Sequence, residues 1–74
     1  MKLAAARRLK LWSMRELAER SGVSTRTINT IELGRTTPSL LTIKRLSEAL
    51  GVDPIEVDEF RDAIMGKAMA LTSS

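Results

Sequence analysis

The chain has 74 residues, of which 43% are apolar, and it contains neither cysteine nor histidine. A chain this short buries only about 60% of its unfolded surface, so we predict one small domain. Without thiols and imidazoles it lacks disulfides, zinc-finger ligands and the most common general base, so we expect neither an enzyme nor a cofactor. No apolar run is long enough for a membrane span, and we predict a cytoplasmic protein with no membrane partner.

The net charge of +3 is unevenly distributed along the chain. Residues 1–45 contain ten basic and three acidic side chains, whereas residues 46–74 contain two basic and six acidic ones. The two parts therefore carry net charges of +7 and −4. This asymmetry favours a polyanionic partner for the first part and a different role for the second, and an ordinary solvated surface is the alternative.

The first two helices are predicted on either side of a short turn. Good helix formers run from the N-terminus to about Leu11. Ser13 then begins a second helix, because its hydroxyl can accept from the N–H of Glu16 while the Glu16 carboxylate reaches back to the N–H of Ser13. Trp12 lies where it would pack on Leu17, and we favour this core position over stacking on a nucleic-acid base.

The remaining helices follow at short intervals. Gly22 ends the second helix, and a third is predicted from Thr25 to about Leu33. A fourth extends from a cap at Ser39 to Leu50, and the Asp53-Pro54 pair begins a fifth helix with good helix formers to about Met65. No segment has the pattern of a strand, so the fold class is all-α.

Helices two and three, joined by a tight turn, are typical of a helix-turn-helix, in which the second helix enters the DNA major groove. If Ile28 and Ile31 face inward, the opposite face of the third helix is polar and carries no carboxylate. Arginine can bond guanine, asparagine can bond adenine, and threonine can contact the thymine methyl group. The residues predicted to read bases are Thr25, Arg26, Asn29 and Thr30. The alternative is an ordinary solvated helix face.

An ordered series of matches resembles the Cro/C1-type helix-turn-helix family, also called the XRE family, over about residues 3–57. The matching segments are Ser13–Ser24, Ile28–Ser39, Ile43, Leu46 and Ala49–Val52. The resemblance implies a compact five-helix, lambda-repressor-like domain. We therefore expect a single domain over residues 1–74, with its C-terminal helix and dimerisation segment at about residues 53–71.

The resemblance also implies roles for residues outside the reading face. It pairs Arg7 with Glu32 inside the domain, and we favour this pairing over a phosphate contact by Arg7. The residues it turns toward phosphates are Ser13, Met14, Arg15, Thr27, Arg35 and Thr36. Met14 departs from the family pattern, which commonly has glutamine there, so that contact must come from backbone N–H groups, from Arg15, or not at all. We expect neither a flexible N-terminal arm nor an effector domain.

Apolar residues in the second part predict a homodimer, because one such module makes few DNA contacts. The predicted interface comprises Leu33, Leu40, Leu41, Phe60, Ile64, Met65 and Met69. The alternative is that these residues pack within one chain.

The resulting prediction is a transcriptional regulator, in particular a repressor, that reads a pseudo-palindromic operator in double-stranded DNA as a homodimer. The second hypothesis is an antitoxin-type protein that binds a partner, such as a toxin, through its C-terminal helix and regulates its own operon. The third and weakest hypothesis is an enzyme with a divalent-ion site formed by the acidic residues after Gly51. Their spacing does not match a calcium loop, and a capped, solvated helix face explains them better. These residues are Asp53, Glu56, Asp58, Glu59 and Asp62.

Overall fold

A computed structural model of the protein describes the backbone of residues 1–72 and the side chains of residues 1–66. This part of the chain contains no strand, which confirms the predicted all-α class. Its elements in chain order are α1 (Leu3–Leu9), α2 (Met14–Ser21), α3 (Thr25–Glu32), α4 (Leu40–Leu50), a 3₁₀ helix (Pro54–Glu56) and α5 (Asp58–Thr72).

Serine side chains cap α2, α3 and α4, as the sequence predicts. Each hydroxyl accepts a hydrogen bond from a backbone N–H in the first turn, which satisfies a donor that has no partner within the helix. The bonds join Ser13 to Glu16 at 3.1 Å, Ser24 to Thr27 at 3.2 Å and Ser39 to Thr42 at 3.2 Å. The predicted return bond, from the Ser13 N–H to the Glu16 carboxylate, is absent among the described residues. The Glu16 carboxylate instead accepts from Arg20 at 3.4 Å.

Left-handed residues end two of these helices, and a third lies just beyond α1. Gly22 ends α2 with φ 76° and Gly51 ends α4 with φ 68°. Helix α1 ends at Leu9 rather than near Leu11, because Leu11 itself adopts φ 61°. A side chain with a Cβ is strained in this region, and the Leu11 side chain is 93% exposed. The turn between α1 and α2 therefore carries backbone strain that packing of Leu11 does not offset.

The predicted start of the fifth helix was wrong. Asp53 accepts from the N–H of Ile55 at 3.1 Å, and Glu56 accepts from the N–H of Asp53 at 3.2 Å, but this capping box begins only the short 3₁₀ helix. Val57 then adopts an extended conformation and is fully buried. Helix α5 begins one residue later, at Asp58, and continues through Gly66. Inward packing of Val57 separates the two helices.

The core is a single apolar cluster to which every α-helix contributes. Its buried members are Leu3, Ala6, Leu17, Val23, Ile28, Ile31, Ile43, Leu46, Leu50, Val57, Phe60 and Ala63. Three hydrogen bonds attach the N-terminal residues to the start of α5. Leu3 N–H donates to Glu59 Oε1 at 2.9 Å, Asp58 N–H donates to the Met1 carbonyl at 2.7 Å, and the Met1 ammonium group donates to Asp58 Oδ1 at 3.1 Å. The core and these bonds hold α2 and α3 against the remaining helices.

Candidate nucleic-acid interface

The turn between α2 and α3 is short and internally bonded. Gly22 reverses the chain, and the Val23 side chain enters the core with 7% of its surface exposed. The Ser21 hydroxyl accepts from the Val23 N–H at 3.1 Å. Because a buried valine and a side-chain bond hold the turn from two sides, the direction of α3 relative to α2 is fixed.

Helix α3 divides sharply into a buried and an exposed face. Ile28 and Ile31 are almost fully buried, with 0% and 1% exposed. Thr25, Arg26 and Asn29 are exposed on the other side. The side chains of Arg26 and Asn29 make no hydrogen bond to any other described residue. Their donors and acceptors are therefore available to base edges.

Thr30 differs from the other three predicted reading residues. It is only half-buried, and its hydroxyl donates to the Thr27 carbonyl at 2.9 Å. The same oxygen accepts from the Thr36 hydroxyl at 3.2 Å, while the Arg35 N–H donates to the Thr30 carbonyl at 2.9 Å. Thr30 thus ties the loop after α3 to the helix, and its methyl group and one remaining lone pair are left for a base.

The residues predicted to face phosphates surround this exposed face. Ser13 is exposed at the first turn of α2, and the Arg15 side chain is 87% exposed, with its Nε 3.5 Å from Glu19. Arg35 and Thr36 are exposed in the loop after α3. Thr27 is half-buried, and its hydroxyl accepts from Ser24 at 2.9 Å, so its own proton is still free to be donated.

A buried ion pair lies beneath this surface. Arg7 Nε and Nη2 donate to the two carboxylate oxygens of Glu32 at 2.9 and 3.1 Å, and the two side chains are 9% and 6% exposed. The third guanidinium nitrogen, Nη1, donates to the Trp12 carbonyl at 2.9 Å. The hydrogen bond to Glu32 raises the pKa of Arg7, which outweighs the opposing effect of burial. Arg7 therefore joins α1, the following turn and α3 rather than facing phosphate.

Trp12 packs against the core from a half-buried position, in agreement with the predicted core role. The Arg20 guanidinium lies 4.5 Å from the centre of its ring, a cation–π contact. This contact and the bond from Arg7 to the Trp12 carbonyl were missed by sequence reasoning. Trp12 and Arg20 are too far apart in the sequence for helical spacing to show that they meet.

The helix-turn-helix family model matches residues 3–57. The chain belongs to the helix-turn-helix family. This match confirms the resemblance drawn from the sequence. The lambda-repressor-like, five-helix architecture predicted from that resemblance is also confirmed.

Two relatives support membership of the helix-turn-helix family. An uncharacterized HTH-type transcriptional regulator of Methanothermobacter thermautotrophicus is 51% identical over 41 residues, which cover 55% of this chain and 59% of the relative. One of Sinorhizobium fredii is 37% identical over 54 residues, covering 73% of this chain and 70% of the relative. The chain thus spans less than two thirds of the first relative's length. No solved structure matches the chain significantly.

Met14 stands where the resemblance drawn from the sequence implies a glutamine. Its side chain is half-buried and packs against the core, so it cannot take glutamine's place at a phosphate. Only the Met14 backbone N–H, at the first turn of α2, remains for the predicted contact. The neighbouring Arg15 is the exposed cation that can supplement it.

The residues predicted to form a dimer interface occupy different environments. Leu33, Leu40, Leu41 and Met65 are 56–60% exposed. Ile64 is half-buried against the core. Phe60 corrects the prediction, because it is fully buried within its own chain and has no surface for a second copy. Met69 lies outside the described side chains.

Among the described residues, no group of three or more carboxylates is arranged to hold a metal ion. The same part of the chain has no helix that is long and apolar enough to cross a membrane.

Proposed function

We propose that the chain is a transcriptional regulator that binds specific sequences in double-stranded DNA through α3. The observation that carries this proposal is the division of α3 into two faces. Ile28 and Ile31 fix one face in the core, while Arg26 and Asn29 extend unbonded from the other. Arginine and asparagine are the side chains that pair best with guanine and adenine in the major groove.

Charge around α3 favours a polyanionic ligand. The only carboxylate of α3 belongs to Glu32, which is paired with Arg7 and 6% exposed. Arg15 and Arg35 are exposed on either side of the helix-turn-helix. Contacts from these arginines and from the first turn of α2 to phosphates would set the position of the protein on the duplex, while the residues of α3 supply sequence preference.

Homodimerisation belongs to the same proposal. One recognition helix reads only a few base pairs, and a second copy doubles the site at a spacing of about 34–36 Å. Leu33, Leu40, Leu41 and Met65 supply exposed apolar surface for this purpose. A dimer that covers its operator excludes other proteins from that DNA, so repression needs no further contact. We place this DNA-binding regulator in the cytoplasm.

Selection of binding sites from random duplex DNA tests the proposal. We expect an enriched sequence with two-fold symmetry and half-sites about one helical turn apart. The matched control is the double variant Arg26→Ala/Asn29→Ala, which removes two exposed side chains and should leave the circular dichroism spectrum unchanged. It should lose the enriched sequence. The absence of any enriched sequence for the folded native chain would contradict a sequence-specific role.

A further inference from the structure

The exposed side of α4 has the spacing of a helix–helix seam. Leu41, Lys44, Glu48 and Gly51 are all exposed and follow one another at intervals of three, four and three residues. Leu46, which lies on the opposite side of the helix, is fully buried in the core. Intervals of three and four residues place side chains along one stripe, which is the pattern by which two helices pack side by side. Helix α4 therefore presents a second packing stripe that no side chain of residues 1–66 covers.

The two charges at the middle of this stripe have opposite signs and are free. Lys44 and Glu48 are four residues apart, yet neither takes part in an ion pair with any described residue. The positive and the negative charge lie at equal distances from the centre of the stripe. When a second copy of the stripe runs in the opposite direction, each charge therefore faces one of opposite sign. When two such helices lie antiparallel about a two-fold axis, each lysine meets a glutamate.

We propose that α4 packs antiparallel against α4 of a second copy of this chain, with Lys44 facing the partner's Glu48 and Glu48 facing the partner's Lys44. This inference rests on the proposed homodimeric regulator and specifies its interface. The two-fold axis then passes beside the middle of α4, between the two charged residues. Each ion pair occurs twice because the interface is the same surface on both copies.

The same register fits the apolar ends of the stripe. Leu41 is 57% exposed and lies opposite the partner's Gly51. A Cβ built on Gly51 would have no neighbour within 4 Å, so there is space for a leucine side chain. Beside it runs a groove of about 520 Å³ between α4, the 3₁₀ helix and α5. Its apolar lining includes Leu40, Val52 and Ile64. In this register, the leucines at the start of one α4 lie over the Gly51 end of the groove on the other copy.

Charge reversal tests this register without DNA. Lys44→Glu creates two glutamate–glutamate contacts in its own dimer, and Glu48→Lys creates two lysine–lysine contacts. Each variant alone should dimerise at least about tenfold more weakly than the native chain by sedimentation equilibrium. Mixed in equal amounts, the two variants should form a heterodimer of near-native affinity, because every contact across the seam is again between opposite charges.

Two controls separate this interface from folding and from the wider proposal. Lys10→Glu makes the same charge change at an exposed site on the α1–α2 turn and should leave dimerisation unchanged. Circular dichroism should show native helix content for every variant. A native dimer that tolerates both reversals would overturn the α4 seam but leave a homodimeric regulator intact. A chain that stays monomeric at all concentrations would overturn the seam, and the exposed stripe would then fit another protein. Selection of binding sites from random DNA would still test sequence-specific binding by that monomer.

Discussion

Two regions of the molecule differ in the solvent exposure of their large apolar side chains. They are the helix-turn-helix segment, residues 13–32, and the described part that follows it, residues 33–66. The first segment exposes none of these side chains. In the second, Leu33, Leu40, Leu41, Ile55 and Met65 are each more than half exposed. The surface of the first segment is therefore polar and suited to a charged ligand. The second segment has exposed apolar surface, which contact with another protein would cover. Small helical domains can separate ligand reading from assembly in this way.

The largest expected effect comes from breaking the support beneath the first segment. Arg7→Ala leaves the Glu32 carboxylate buried without its partner, and we expect the free energy of unfolding to fall by about 3–5 kcal/mol. Thermal unfolding followed by circular dichroism measures this loss. Arg8→Ala removes the same charge from an exposed neighbour and should change stability by less than about 0.5 kcal/mol. Unchanged stability with lost DNA affinity would instead assign Arg7 to a phosphate contact.

The next effect concerns what the first segment binds. Arg26→Ala should weaken binding to the selected DNA site by about 1–3 kcal/mol and relax preference at one base position. Arg35→Ala should weaken binding to all sequences alike and lower the slope of log affinity against log salt by about 1. Titrations at several salt concentrations on matched and mismatched duplexes distinguish the two. Arg61→Ala, in the acidic part of the chain, is the control with the same charge change. Uniform loss from Arg26→Ala would assign that residue to a phosphate.

A smaller, opposite effect is expected where the chain enters the helix-turn-helix. Leu11 has φ 61° and a 93% exposed side chain, so Leu11→Gly relieves backbone strain at almost no cost in packing. We expect a gain of roughly 0.5–1 kcal/mol, or a few degrees in melting temperature. Leu9→Gly makes the same change at a 75% exposed position within α1 and should cost about 1 kcal/mol. If both variants gained stability, or both lost it, the left-handed backbone conformation of Leu11 would be contradicted.

The smallest expected effect concerns a buried hydroxyl group in the second segment. Ser47 in α4 is 4% exposed, and its hydroxyl has no hydrogen-bond partner among the described residues. Ser47→Ala should therefore leave stability unchanged or raise it by up to about 1 kcal/mol. Ser39→Ala, at the cap of the same helix, should cost about 1 kcal/mol. Denaturant unfolding compares the two variants. Equal losses would show that the Ser47 hydroxyl is bonded in solution.

Local signals in the sequence predicted most of the fold, and they failed where packing decides. Ser13, Ser24 and Ser39 cap their helices as expected, because a cap depends only on residues within one turn. The cap at Asp53 is equally well formed but begins a 3₁₀ helix, since the burial of Val57 is a tertiary effect. The sequence likewise shows apolar stripes on the last helix without showing which one is inward, and for this reason Phe60 was misplaced.

The candidate site was predictable to a similar depth. The alternation of buried and exposed positions along α3 follows from helical spacing once Ile28 and Ile31 are taken as core. The bonds that join Thr30 to Thr36 depend on how the loop after α3 folds back, which no spacing rule gives. The Arg7–Glu32 pair spans 25 positions, and only the family resemblance indicated it.

The two faces of α3 make binding preference separable from folding. Arg26 and Asn29 have no bonded side-chain partner among the described residues, so we expect substitutions there to change the proposed DNA preference without disturbing the core. A library varied at positions 25, 26 and 29 should therefore yield folded proteins with new operator preferences. Variation at position 30 would disturb the loop that Thr30 holds. For the proposed regulator, we expect that changes at these three positions, which lie within one and a half turns of helix, are enough to redesign the DNA target.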